Sequence, residues 1–166
     1  MKLITFAVPA YNSEAYLDIA ITSLLKGGEE VEIIIVDDGS NDKTLEIADS
    51  YRERFPSIVK VIHEVNGGHG EAINNALKEA TGLYFKPVDS DDWVEEKTLK
   101  DLLSYIRKGV DLPDAFICGY DYHYGRGNIV KQIRYGNVFP KRKIFGWKKV
   151  GLFLPKQYLT IHSCMY

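Results

Sequence analysis

Three carboxylates fall within four residues at Asp89-Ser90-Asp91-Asp92, and a second acidic pair stands at Asp37-Asp38. Carboxylates this close repel one another, and capping a helix needs only one of them. A hard divalent cation removes the repulsion, because Mg2+ or Mn2+ binds through one or two carboxylates and completes its shell with substrate phosphates. The spacing favours a metal–diphosphate site over a set of helix caps. Asp42, alone ahead of a helical stretch, does read as a cap. Asn66-Gly67-Gly68-His69-Gly70 is a third candidate, since glycine-rich backbone before a helix can approach a phosphate closely. His69 is the polar side chain there, although a lone loop histidine is more often an ordinary surface residue. His63, His123 and His162 stand in no motif.

These stretches share a site only if secondary structure carries them to one place. Leu3 to Val8 reads as a strand stopped by Pro9, and residues 14 to 26 as a helix with Ser13 as N-cap and Gly27-Gly28 as its end. Val31 to Val36 is a nearly continuous apolar run, as in a parallel strand buried on both faces. A helix from Lys43 to Phe55, ended by Pro56, precedes a strand from Ile58 to Glu64. A helix from Glu71 to Ala80, a strand from Tyr84 to Val88 and a helix from Glu95 to Lys108 complete the series. Successive βα units imply a right-handed, mainly parallel, doubly wound sheet with helices on both faces. In such sheets ligands sit at the carboxyl ends of the strands. The loops after strands one (Pro9-Ala10-Tyr11-Asn12), two (Asp37-Asp38) and four (Asp89 to Asp92) therefore converge on one rim. From Ala115 the pattern changes to aromatic strands, Ala115 to Tyr124 and Ile129 to Tyr135, that read as a hairpin.

Composition narrows the class. The 166 residues, 45% hydrophobic and 27% charged, suit an ordinary folded domain and exclude a coiled coil, a collagen-like repeat or a disordered tail. No apolar run approaches the roughly 18 residues needed to span a bilayer, and the N-terminus reads as a strand and not a signal peptide. Cys118 and Cys164 form no CxxC pair, read as core residues, and fit a reducing, cytoplasmic setting. All 23 acidic residues lie at or before Asp121, whereas nine of the 21 basic residues follow it with no acidic residue among them. Such asymmetry implies two jobs, or a chain cut before its charges even out.

The motifs also match a family. Val8-Pro9-Ala10-Tyr11-Asn12, Val36-Asp37-Asp38-Gly39-Ser40, Asn66-Gly67-Gly68 and Asp89-Ser90-Asp91-Asp92 occur in the order and spacing of the family-2 glycosyltransferases. Residues 1–110 resemble the nucleotide-sugar-binding half of their GT-A fold, leaving 111–166 as the start of an acceptor-side half, incomplete in this chain. The resemblance implies that Tyr11 lies against the nucleotide base, with Pro9 and Asn12 in the same loop. Asp38 would accept the base N3–H, fitting uracil or thymine, while Asp37 anchors the loop. Asp89 would approach the ribose and, with Asp91, the cation (Mn2+ or Mg2+) that bridges the diphosphate; Asp92 could share either role. Glu14 would reach base or ribose, or else serve a helix N-terminus. Gly68 and His69 would face the phosphates.

It further implies an inverting transfer from a UDP-sugar, with dTDP- or GDP-sugar as alternatives, to a saccharide or lipid-linked acceptor. That reaction needs a carboxylate general base in the second half of the domain, and no Asp or Glu follows Asp121. Asp121 lies too early for that role, though it could line the acceptor cleft. The expectation is a chain that binds donor without enzyme-like turnover. The basic segment would face an anionic acceptor or the inner membrane surface, or be a solvated face; a nucleic-acid role has no motif behind it. Two rivals remain: a nucleotidyltransferase, which would carry a Gly-, Arg- and Lys-containing loop after strand one, and a receiver-type module with acidic residues at strand ends.

Overall fold

The two longest apolar, β-branched runs become the two central strands. They are β1 (Ile4–Ala10) and β2 (Val31–Asp37), and every residue of both is buried. The computed structural model describes residues 1–124, 128–135, 139 and 143–146. Shorter strands β3 (Val59–His63) and β4 (Tyr84–Pro87) flank the pair, giving a four-stranded parallel sheet in the order β3-β2-β1-β4. Connections run through α1 (Leu17–Leu24), a 3₁₀ segment (Leu25–Glu30), α2 (Thr44–Arg54) and α3 (His69–Glu79); α4 (Glu96–Arg107) follows β4. Side chains alternate across each strand. Ala7, Ile34 and Val36 therefore share one face, where Ala72 and Ala76 of α3 pack on them. The opposite face buries Phe6, Val8, Ile33 and Ile35, with α1 and α2 against β2. The mainly parallel, doubly wound α/β sheet with helices on both faces is as expected. The strand order also removes the receiver-type reading, which places β1 between β2 and β3 and not between β2 and β4.

Several local readings need correction. Pro9 does not stop β1 but lies inside it, opposite Val36. The Ala7 carbonyl accepts from Val88 on the β4 side, and the Ala10 carbonyl accepts from Asp38 on the β2 side. By that alternation the missing N–H of Pro9 points toward β4, and the β1–β4 ladder ends there, after Pro87 and the Val88 N–H. Ser13 is not the N-cap of α1, which begins only at Leu17; its hydroxyl is used elsewhere. Conversely α3 begins earlier than expected, at His69, with Gly68 as its N-cap at φ 86°. Cys118 is half-buried and not a core residue.

A polar network fixes where β4 starts. The buried Glu32 carboxylate accepts from Thr5 Oγ1 (2.6 Å), the Thr81 N–H (2.8 Å) and Thr81 Oγ1 (3.0 Å), and pairs with Lys60 Nζ (2.8 Å). Gly82 then passes so close to β1 that a Cβ would stand 2.4 Å from the Thr5 nitrogen.

The chain divides into two units, Met1–Leu112 and a second from Pro113 onward. Within the second, β5 (Tyr120–Tyr124) and β6 (Asn128–Ile133) form the expected antiparallel hairpin, with a bulge after Tyr122. Tyr135 and Phe139 gather Ile117, Tyr120, Ile133 and Phe145 into a small cluster. His162, Cys164 and the basic residues Arg126, Lys141, Arg142, Lys148, Lys149 and Lys156 lie outside the described residues. Among the described residues no helix is long and apolar enough to cross a membrane.

Candidate functional site

The order β3-β2-β1-β4 reverses between β1 and β4, and that is where a doubly wound sheet opens a crevice at its carboxyl ends. A cleft of about 520 Å³ lies there. Pro9 and Ala10 line it from the end of β1 and Tyr11 from the loop that follows, Asp38 from the end of β2, and Asn66, Gly68 and His69 from the start of α3. Asp89, Ser90 and Asp91 close it from the loop after β4. Seven of the residues singled out in the sequence thus meet: Pro9, Tyr11, Asp38, Gly68, His69, Asp89 and Asp91. Asn12, Glu14 and Asp92 are not part of the lining.

Asp38 is only 4% exposed, and its carboxylate is held from below. Oδ1 accepts the Gly67 N–H (2.6 Å) and Oδ2 accepts the Gly68 N–H (3.0 Å). Each oxygen keeps a further lone pair, so the pinned carboxylate can still accept from a ligand. The glycine donors, however, are spent on Asp38. The anchoring expected of Asp37 alone is shared, because Asp38 ties the glycine loop while Asp37 ties β3. Asp37 is fully buried, with Oδ2 2.7 Å from His63 Nδ1. His63 belongs to no sequence motif, because its link to Asp37 depends on strand register (Asp37 opposite His63).

The loop after β1 is stitched to the loop after β2. Asn12, at φ 49°, donates its N–H to Ser40 Oγ (3.0 Å) and accepts the Asn41 N–H on Oδ1 (2.9 Å). Glu14 accepts the Lys43 N–H (3.0 Å) and donates its own N–H to Asp42 Oδ2 (3.1 Å). Its carboxylate therefore serves a helix N-terminus, that of α2. The N-cap of α2 is Lys43 and not Asp42, which lies one residue earlier and accepts the Thr44 N–H on Oδ1 (2.9 Å) as a local turn ahead of the helix. Burial pushes the Asp42 carboxyl up, but the bonds from Thr44 and Glu14 outweigh it and hold the group below its ordinary range.

The acidic loop is a turn in which the Asp92 N–H donates to the Asp89 carbonyl (2.9 Å). Asp89 is half-buried, with Oδ1 3.7 Å from His69 Nε2, and Asp91 is exposed. No cluster of three or more His, Cys, Asp or Glu ligands occurs among the described residues. Two hard oxygen donors from one loop suit a cation that completes its shell with ligand phosphates and water, and do not suit an all-protein cage. The donor set fits Mg2+ or Mn2+. Lys86 in β4, 3% exposed and three residues ahead of Asp89, is a buried lysine that no sequence motif marks. Its apolar surroundings in sequence gave no sign of it. In the second unit the Arg134 guanidinium beside Asp121 holds that carboxyl below the usual range, which makes it a weak base.

Parallel order, with a cleft at the switch point, defines a doubly wound α/β protein of the GT-A fold. The model of the family described as glycosyl transferase family 2 matches residues 5–162, and the chain belongs to that family. It is 39% identical over 109 residues to the poly(ribitol-phosphate) beta-N-acetylglucosaminyltransferase TarS of Staphylococcus aureus, covering 64% of this chain and 19% of TarS. It is 30% identical over 164 residues to the glycosyltransferase RT0329 of Rickettsia typhi, covering 98% of this chain and 48% of that protein. The crystal structure of S. aureus TarS 1–349 with UDP-GlcNAc superposes at a TM-score of 0.64, with 38% identity over 77% of this chain and 37% of that one. The chain thus spans less than half the length of these relatives.

Proposed function

We propose that this chain is the donor-binding part of a glycosyltransferase that takes a nucleoside-diphosphate sugar, a UDP-sugar first, with dTDP- or GDP-sugars as alternatives. The observation that carries the reading is the placement of Asp38 on one wall of a single cleft and of Asp89 and Asp91 on another, with Tyr11 half-exposed between their loops. Asp38, fixed by two backbone donors, accepts the imide N–H of the base. Tyr11 covers the base, and Asp89 reaches the ribose. A Mn2+ or Mg2+ held by Asp89 and Asp91 supplies Lewis-acid neutralisation of the leaving diphosphate. TarS, solved with UDP-GlcNAc, supports the choice of donor class.

Transfer with inversion joins an acceptor hydroxyl to the anomeric carbon as the bond to the diphosphate oxygen breaks. The acceptor is a saccharide or lipid-linked sugar. The basic stretch after Asp121 suits an anionic acceptor or the inner membrane surface of a cytoplasmic enzyme. The test is thermal shift with UDP, with and without Mn2+, on the unmodified chain and on Asp91→Ala, together with an assay for transfer or hydrolysis of UDP-GlcNAc. Stabilisation by UDP that grows with Mn2+, and loses that growth in Asp91→Ala, is the expected result. No response to any nucleoside diphosphate overturns the reading.

A further inference from the structure

Ser13 stands where three loops meet. It is 6% exposed, and all its polar groups are engaged. Its N–H donates to Thr44 Oγ1 (2.7 Å), and its carbonyl accepts from Tyr16 and Leu17 (both 3.0 Å) at the start of α1. Its hydroxyl lies 3.2 Å from the Tyr11 carbonyl and 2.8 Å from Ser90 Oγ. A serine has one hydroxyl proton and two lone pairs. One arrangement satisfies both contacts: Ser90 donates to Ser13, and Ser13 donates to the Tyr11 carbonyl. The chain Ser90–Ser13–Tyr11 then runs from the acidic loop to the residue set against the base, across 77 residues of sequence between the two serines.

We propose that Ser13 is a positioning residue that sets the spacing between the nucleoside-binding loop and the diphosphate-binding Asp89-Ser90-Asp91 loop, acting through Ser90. This rests on the donor-site reading above. A ligand that spans both loops, such as UDP with a divalent cation, gains from the fixed spacing. One confined to the nucleoside end, such as uridine, does not. Ser90 stands between Asp89 and Asp91 in the turn closed by the Asp92 N–H on the Asp89 carbonyl, so its bond to Ser13 ties that turn to the loop after β1.

The test compares the unmodified chain with Ser13→Ala, Ser90→Ala and the double variant, by calorimetric affinity for uridine and for UDP with Mn2+, and by hydrogen exchange at residues 89–92 without ligand. Each single variant is expected to bind UDP–Mn2+ roughly three- to tenfold more weakly, the effect of one lost buried hydrogen bond. Uridine affinity should hold, and the double variant should be no weaker than the singles. Exchange at 89–92 should quicken in Ser13→Ala although the substitution lies in another loop. Ser90→Ala separates the inter-loop bond from the Ser13–Tyr11 bond, so a silent Ser90→Ala overturns the inference. Equal weakening of uridine and UDP, additive single effects, or unchanged exchange at 89–92 overturn it too. If the unmodified chain binds no nucleoside diphosphate, the donor-site reading falls and takes the nucleotide side of this inference with it; the exchange result alone then decides whether the loops are coupled.

Discussion

The Asp38 carboxylate does two things that only a carboxylate can do together. It takes one backbone N–H on each oxygen, from Gly67 and Gly68, and still offers lone pairs to a ligand. In Asp38→Asn the amide supplies one acceptor and sets an NH2 group against the other glycine N–H. One donor is then left unsatisfied, at a cost of about 1–2 kcal/mol. Urea denaturation should register that loss, and under the proposed function UDP affinity should fall by about tenfold or more, because the base would also lose a charged acceptor. Unchanged stability in Asp38→Asn would contradict the pinned carboxylate. Asn12 gives a second residue-level expectation, since it holds φ 49° while its side chain accepts the Asn41 N–H. Asn12→Gly and Asn12→Ala both lose that bond, but only alanine also meets the left-handed penalty of roughly 1–2 kcal/mol. Melting curves should therefore rank Asn12→Ala below Asn12→Gly; equal stabilities would count against the strained backbone.

At the scale of elements, the Glu32 network and the Gly82 approach decide how β4, and with it the acidic loop, is seated beside β1. Burial pushes the Glu32 carboxyl up, but bonds from Lys60, Thr5 and Thr81 outweigh it and leave the group below its ordinary value. A carboxyl lowered on folding stabilises fully above its unfolded pKa, about 4.3 for glutamate, and loses that contribution as pH falls through the lowered value. Glu32→Gln should therefore be less stable near neutrality, by about 1–3 kcal/mol for the unmet donors, and should show a shallower loss in acid than the unmodified chain. Chemical denaturation at pH 7 and below pH 4 measures both. Gly82→Ala should cost roughly 1–3 kcal/mol by overpacking against the β1 backbone. The strands themselves were legible because β-branched runs and turn residues mark them locally. What sequence hid was lateral: Glu32 with Thr81, Asp37 with His63, and Ser13 with Ser90 are bonds set by register and crossover, between residues 26 to 77 apart. Pro9 misled for the same reason, since whether a missing N–H matters depends on which neighbour it faces. Glu14 and Asn12 were legible as functional-looking residues, but not that their bonds join two loops.

For the whole molecule, the division at Leu112 separates two kinds of chain. Every residue that lines the cleft, and the sheet that carries it, belongs to Met1–Leu112. That stretch holds 21 acidic and 12 basic residues, so it confronts an anionic nucleotide with a negative charge of its own. Two consequences follow for that stretch on its own. Residues 1–112 expressed alone should fold cooperatively, because both faces of the sheet are covered by helices from within the stretch. They should also bind UDP with Mn2+ within roughly threefold of the 166-residue chain, a difference of about 0.6 kcal/mol. Without a divalent cation the acidic stretch should bind UDP more weakly, because its excess of acidic over basic residues then meets the diphosphate uncompensated, and raising the salt should narrow that loss by screening the repulsion over a Debye length of about 10 Å or less. Circular dichroism melts and calorimetry on both chains, with Mn2+ and with EDTA, make the comparison. A stretch 1–112 that fails to fold, or that folds and loses UDP–Mn2+ binding by more than tenfold, would show that the second unit completes the donor site.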